Sequence, residues 1–269
     1  MMTYQEIFEH LWKDYLLQNP ETKKVYDLFI SEGEEVVNDH IAFRTFDHPK
    51  VSIDVLSKPF IDAGYAKKGT YQFEVKKLKA HHFEHASDEK APKIFISALE
   101  AEKFSPFLQN TVTDLMKKTG DGFANDPGFL WNGRPWGKPD FNIYQKLQEE
   151  SEYAAWLYVY GFRANHFTVF INYLKKHTDI YKLNQFLREN GFAILESGGE
   201  VKGSAEELLE QSSIRAGKIE VEFKDGYREI PSCFYEFAKR YSDKNGKLYT
   251  GFIAKSADKI FESTDNKKI

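Results

Sequence analysis

A polar residue and a histidine open an apolar stretch twice in this chain, and both times a helical pattern closed by glycine follows at nearly the same interval. The first copy is Asp39-His40-Ile41-Ala42-Phe43-Arg44-Thr45-Phe46, the second Asn165-His166-Phe167-Thr168-Val169-Phe170-Ile171. Gly64 lies 24 residues after His40, and Gly191 lies 25 after His166. Internal repetition constrains a fold more than any single motif, because each copy must bury its apolar face against something equivalent. In the first copy, Ser52 to Gly64 reads as a helix, followed by strands over Tyr71 to Leu78, Ala80 to Ala86 and Lys93 to Leu99. In the second, Ile180 to Asn190 reads as the helix, with strands near Ile214, at Ile219 to Phe223 and at Ser232 to Phe237. Ser197 to Gly203 reads as a turn and Ala205 to Glu210 as a short helix or turn. The expected fold is α+β, with two pseudo-symmetric β-α-β-β-β modules, at about 36–100 and 160–240, forming curved sheets.

The rest of the chain serves those modules. Residues 3–32 carry helical spacing (Ile7, Phe8, Leu11, Trp12, Tyr15, then Val25, Leu28, Phe29) and are expected to pack outside the first module. A connection over 100–160 holds a predicted helix at Pro106 to Lys118 and a Gly/Pro/Trp-rich stretch at 121–139, long enough to serve as a lid or a bridge. Helical spacing returns over Glu150 to Tyr160. All 269 residues are read as a single metal-dependent enzyme domain.

Composition narrows the partners. A net charge of −4 provides no field for nucleic acid. A lone cysteine excludes an internal disulfide, and no apolar run is long enough to span a bilayer. No basic-then-apolar leader opens the sequence, so a cytoplasmic location, away from membranes, is expected.

The two histidines are the chemistry-bearing part of the repeat. In a strand His40, Ala42 and Arg44 share one face, so an imidazole and a guanidinium need buried partners there. If the modules pack together, His40 and His166 converge, and neutral imidazole is the commonest ligand for several transition metals. The best third ligand is Glu236, a lone carboxylate in the apolar run Cys233-Phe234-Tyr235-Glu236-Phe237. Two histidines and one carboxylate form a facial set with open positions, suited to non-haem Fe(II) oxygen chemistry, with zinc or nickel as other ions to consider. Arg44, two alternations beyond His40, is suited to binding a substrate carboxylate. His40, His166, Glu236 and Arg44 are therefore the residues expected to carry catalysis and substrate binding.

Other signals weigh less. His81-His82-Phe83-Glu84-His85 contains an inverted zinc-peptidase pattern, but that chemistry needs a helix, and this segment reads as a strand. Gln211, Ser212, Ser213 and Arg215 are either pocket-lining or ordinary strand-edge polar residues.

Three segments, Asp-His-Ile-Ala-Phe-Arg-Thr-Phe (39–46), Arg-Ala-Asn-His-Phe-Thr-Val (163–169) and Ile-Pro-Ser-Cys-Phe-Tyr-Glu-Phe-Ala (230–238), resemble the 2-oxoadipate dioxygenase/decarboxylase family, a relative of the vicinal oxygen chelate superfamily. The likeness extends to Ala257–Thr264. It implies paired modules curved around one metal centre, His40, His166 and Glu236 as the metal ligands, and Arg44 as the substrate-carboxylate residue. It also implies the reaction: 2-oxoadipate and O2 give 2-hydroxyglutarate and CO2, with Fe(II) and no separate 2-oxoglutarate. This chain is shorter than the bacterial lysine-catabolism members. The rival expectations are a zinc or nickel isomerase or hydrolase of the same fold, and a non-catalytic small-molecule binding protein. Oligomeric state is left open.

Overall fold

A computed structural model of the chain describes residues 2–253. Two helices come first, α1 (Tyr4–Gln18) and α2 (Pro20–Ser31). The first module follows as β1 (Asn38–Phe46), α3 (Ile53–Asp62), β2 (Tyr65–Phe73), β3 (Leu78–His85) and β4 (Lys93–Leu99). The connection carries α4 (Pro106–Lys118), α5 (Phe141–Glu150) and α6 (Glu152–Tyr160). The second module is β5 (Ala164–Phe170), α7 (Ile180–Glu189), β6 (Lys202–Ser204), β7 (Leu209–Ser213), β8 (Lys218–Phe223), β9 (Gly226–Pro231) and β10 (Phe234–Arg240).

The two modules join edge to edge instead of stacking as two sheets. One eight-stranded sheet runs β2-β3-β4-β1-β5-β10-β7-β6, symmetric about the β1–β5 seam. The seam is antiparallel, while β1–β4 and β5–β10 are parallel pairs. Parallel neighbours require a crossover, which α3 and α7 begin. Both helices are capped at their start, by Ser52 and Asp179, and bury one stripe: Ile53, Leu56 and Phe60 in α3, Ile180, Leu183 and Leu187 in α7. Gly64 (φ +102°) and Gly191 (φ +88°) then turn the chain through a conformation that a side chain disfavours.

Strand alternation assigns the two faces of the sheet. Phe167 and Tyr235 face the N-terminal helices, where Trp12 packs on both rings and the Tyr15 hydroxyl donates to the Phe234 carbonyl. Their sequence neighbours His166 and Glu236 face the other way. Helix α6 ties the halves together: the Tyr153 hydroxyl donates to the Ser97 carbonyl (2.7 Å), and the Trp156 indole to the Ser232 carbonyl (2.9 Å).

Several sequence expectations are corrected. β2 begins directly after Gly64, not at Tyr71. Its outward Lys67 and Lys68 suit an edge strand and obscured the apolar pattern. A four-residue turn, with Lys77 at φ +53°, separates β2 from β3 where one continuous strand was expected up to Leu78. In the second module Ile219–Phe223 belongs to β8, which pairs only with β9 as a separate hairpin. Beyond β10 the sheet continues through β7, which ends just before Ile214, and closes on the short edge strand β6 at the end of the glycine-rich turn. Helix α5 had not been anticipated. The stretch 121–139 docks beside α6, through Arg134 and Trp136 bonds to the Val159 and Tyr158 carbonyls, and covers no part of the histidine cavity. Ala257–Thr264 lies outside the described residues.

Candidate metal centre

The β1–β5 register opposes Ala42 to His166 and His40 to Thr168, so both histidines emerge on the same face at the centre of the sheet. Glu236, opposite Thr168 on β10, joins them. His40 Nε2 lies 3.5 Å from Glu236 Oε1, and His166 Nε2 lies 3.5 Å from Glu236 Oε2. One ligand atom from each of the three lies within 4.8 Å of the others. No other group of three or more such side chains is found among the described residues.

Each imidazole is oriented from behind by the residue before it. His40 Nδ1 meets Asp39 Oδ1 at 2.8 Å, and His166 Nδ1 meets Asn165 Oδ1 at 3.1 Å. Both contacts direct Nε2 toward the shared point. Asp39 is in turn clasped by Arg240, through Nε to Oδ2 (2.5 Å) and Nη2 to Oδ1 (2.8 Å). Burial alone would raise the Asp39 carboxyl, but the Arg240 guanidinium holds it well below the usual carboxylate range. Gln211, which the sequence left undecided, donates to Glu236 Oε1 at 2.5 Å, whereas Arg215 is exposed and apart.

Burial pushes the Glu236 carboxyl up to about 8 and both imidazoles down, His166 well below its ordinary value. A cluster made only of protein thus favours neutral forms. Glu236 Oε2 is buried with no hydrogen-bond partner among the described residues. Such an orphan acceptor is costly, and a cation bound between it and the two imidazole Nε2 atoms, of which that of His40 meets the Thr168 hydroxyl at 3.1 Å, relieves it. The donor set fits a divalent transition metal on these grounds.

Arg44 is fully buried beside this cluster. Its Nη1 lies 3.4 Å from Glu152 Oε2, and its guanidinium sits 4.8 Å from the Tyr153 ring centre and 5.2 Å from that of Trp156. Arg44, His40, His166, Glu236 and Gln211 line one small cavity of about 30 Å³, whose apolar walls include Ala42, Phe95 and Phe252. A much larger cavity, about 750 Å³, lies elsewhere, between α3 and residues 120–127, with none of these groups. The His82–Glu84 pair sits on strand β3, as its alternation predicts, with Nε2 and Oε1 3.1 Å apart. Asp39, Asn165, Glu152, Arg240 and Phe252 were not singled out from sequence. Only the first two had a signal, as the polar residue repeated before each histidine.

The sequence pattern of the 2-oxoadipate dioxygenase/decarboxylase family matches residues 3–124 and 129–247. The 2-oxoadipate dioxygenase/decarboxylase of Oryza sativa subsp. japonica is 34% identical over 99% of this chain and 80% of its own length. Among solved structures, the Oryza sativa hydroxyglutarate synthase in complex with 2-oxoadipate superposes with a TM-score of 0.92, at 33% identity over 98% of this chain and 93% of that one. A Shewanella frigidimarina protein described only as a candidate hydrolase superposes with a TM-score of 0.88, at 50% identity over 93% of this chain and 97% of that one. With the match running through both modules and the strands that carry His40, His166 and Glu236, this chain belongs to the 2-oxoadipate dioxygenase/decarboxylase family.

Proposed function

We propose that this chain is a single-domain, Fe(II)-dependent enzyme converting 2-oxoadipate and O2 to 2-hydroxyglutarate and CO2, with His40, His166 and Glu236 holding the metal. The observation that carries the reading is the convergence of these three donors, one with an orphan oxygen, in a cavity that also contains Arg44. When bound, iron supplies a redox-active Lewis acid with positions open to a 2-oxo acid and O2. The chain supplies the rest. Asp39 and Asn165 fix the imidazole tautomers, and Gln211 fixes the rotation of Glu236. His40, His166 and Glu236 would hold the ion from one face of the sheet, and the C1 carboxylate and keto oxygen of the acid would chelate such an ion. Arg44, stacked on Tyr153 and Trp156, receives the distal carboxylate and sets the orientation of the acid. Phe95 and Ala42 keep the reacting carbons dry.

A cytoplasmic location goes with this reading. Its support is the single buried Cys233, and no helix among the described residues is long and apolar enough to cross a membrane.

Protein loaded anaerobically with Fe(II) should consume one O2 and release one CO2 per 2-oxoadipate, with 2-hydroxyglutarate as product. Turnover of the same acid with zinc under nitrogen would overturn the oxygenase reading in favour of a hydrolase or isomerase. Protein that binds no divalent metal would favour a binding module.

A further inference from the structure

The cavity beside the metal donors, at about 30 Å³, has the volume of roughly one water molecule. A 2-oxo dicarboxylic acid is several times larger, so some wall must move before substrate enters. Most walls are parts of β1, β4, β5, β7 and β10, each hydrogen-bonded to strands on both sides. Phe252 is the exception: it belongs to no helix or strand, yet its ring lies 4.9 Å from the His40 imidazole, 4.8 Å from Phe95 and 5.4 Å from His82.

A few bonds hold this segment down. Arg240 Nη1 donates to the carbonyls of Tyr249 (3.1 Å) and Gly251 (2.8 Å), and the guanidinium lies 5.2 Å from the Phe252 ring centre. The Phe252 N–H donates to the Tyr71 hydroxyl (3.1 Å). With the Tyr249 N–H bond to the Tyr241 carbonyl (3.0 Å), these are exchanged for hydrogen bonds to water when the segment lifts, whereas moving a wall strand breaks its ladders on both sides.

We infer that residues 249–252 form a strap and that Phe252 is a plug occupying the space the acid's carbon chain takes when bound, so that Phe252 governs entry and the length of acid accepted. The inference rests on the proposed site for a 2-oxo acid. Affinity for the acid is then reduced by the fraction of time the plug is seated. Shortening the ring to a methyl removes that handicap and lengthens the pocket.

The test has two arms, so that failure of the strap and failure of the substrate reading are distinguishable. In the first, the metal-free full-length protein is treated with diethyl pyrocarbonate and modification of His40 and His166 is followed by peptide mass spectrometry. Phe252→Ala should speed modification at least ten-fold and Tyr71→Phe, which removes no plug atom, a few-fold. Wild-type rates in both variants, with unchanged circular dichroism, would overturn the strap whatever the substrate is. In the second, 2-oxoadipate binding is measured under nitrogen with Fe(II) present. Phe252→Ala should bind it at least three-fold more tightly and accept the acid one methylene longer. Unchanged affinity and unchanged length preference would overturn the role of Phe252 in selection. If wild-type protein does not bind 2-oxoadipate, the substrate reading fails, while the modification rates still decide the strap.

Discussion

Asp39 offers the sharpest test of how the site is held, because the second module already contains a natural variant of it. Behind His40 stands a carboxylate at 2.8 Å; behind His166 stands the Asn165 amide oxygen at 3.1 Å. Both accept an Nδ1–H. Asp39→Asn should therefore keep His40 aimed at the metal and weaken binding of a divalent ion by about ten-fold, whereas Asp39→Ala should approach the hundred-fold end of the range for lost outer-shell partners. In energy these are about 1.4 and 2.7 kcal/mol. Stability separates from affinity at this residue. Arg240, 1% exposed, loses its carboxylate in either variant. Stranding one member of a buried ion pair costs about 3–5 kcal/mol. The Tyr249 and Gly251 carbonyls remain on Arg240, so the loss should fall near the lower figure, about 3 kcal/mol. For a chain of this size that lowers the melting temperature by roughly 6–12 °C. Thermal unfolding of the metal-free variants and competition with a chelating dye for zinc measure the two effects independently. Adding Arg240→Met to Asp39→Ala should recover stability without recovering affinity. If Asp39→Asn binds zinc as weakly as Asp39→Ala, or if both melt like wild type, the roles assigned to Asp39 are wrong.

Further outcomes follow from other contacts. Gln211→Met removes the one N–H donated to Glu236 Oε1, and zinc affinity should fall about ten-fold with little change in melting of the metal-free protein. Arg44→Lys gives up both the planar fork and the stacking on Tyr153 and Trp156; the KM for 2-oxoadipate should rise at least about ten-fold while metal affinity holds. Chelation of a metal present at about 100 times its Kd should remove roughly 2.7 kcal/mol of stability, read as a lower melting temperature that added Fe(II) restores under nitrogen. Glu34 supplies a pH test remote from the site. Burial would raise its carboxyl, but the N–H groups of Lys175, Lys176 and His177 together hold it below its ordinary value. A lowered carboxyl stabilises the fold above the unfolded-state value, about pH 4.3, and that gain is lost as pH falls through the folded-state value. Glu34→Gln should thus lower the melting temperature at neutral pH, and the gap from wild type should close on acidification; a constant gap down to pH 3 would refute the assignment.

What the sequence made legible depends on whether a residue's role is local to its strand. The two histidines could be paired because each follows a polar residue, opens an apolar strand and precedes a helix that ends at glycine. Glu236 stood out as one carboxylate among buried apolar neighbours. Partners set by tertiary packing were not legible: Arg44 meets Glu152 and Asp39 meets Arg240 across 108 and 201 positions. Alternation over Ile219–Phe223 announced a strand, but nothing in it distinguished an inserted hairpin from a member of the sheet. The repeat also carries an asymmetry that only the register exposes. Thr168 sits opposite Glu236 on β10, and its counterpart by repeat position, Ala42, sits opposite Phe95 on β4. Symmetry would have put a second carboxylate at Phe95, giving four donors around one point. Phenylalanine there leaves three donors and turns the fourth quarter of the site into an apolar wall, against which Phe252 rests. The absence of a fourth donor and the apolar wall beside the three that remain thus have one origin, a single position at which the two modules differ. Phe95→Glu is accordingly expected to tighten zinc binding and abolish 2-oxoadipate turnover together, and a variant that lost turnover without gaining metal affinity would separate the two properties and refute that common origin.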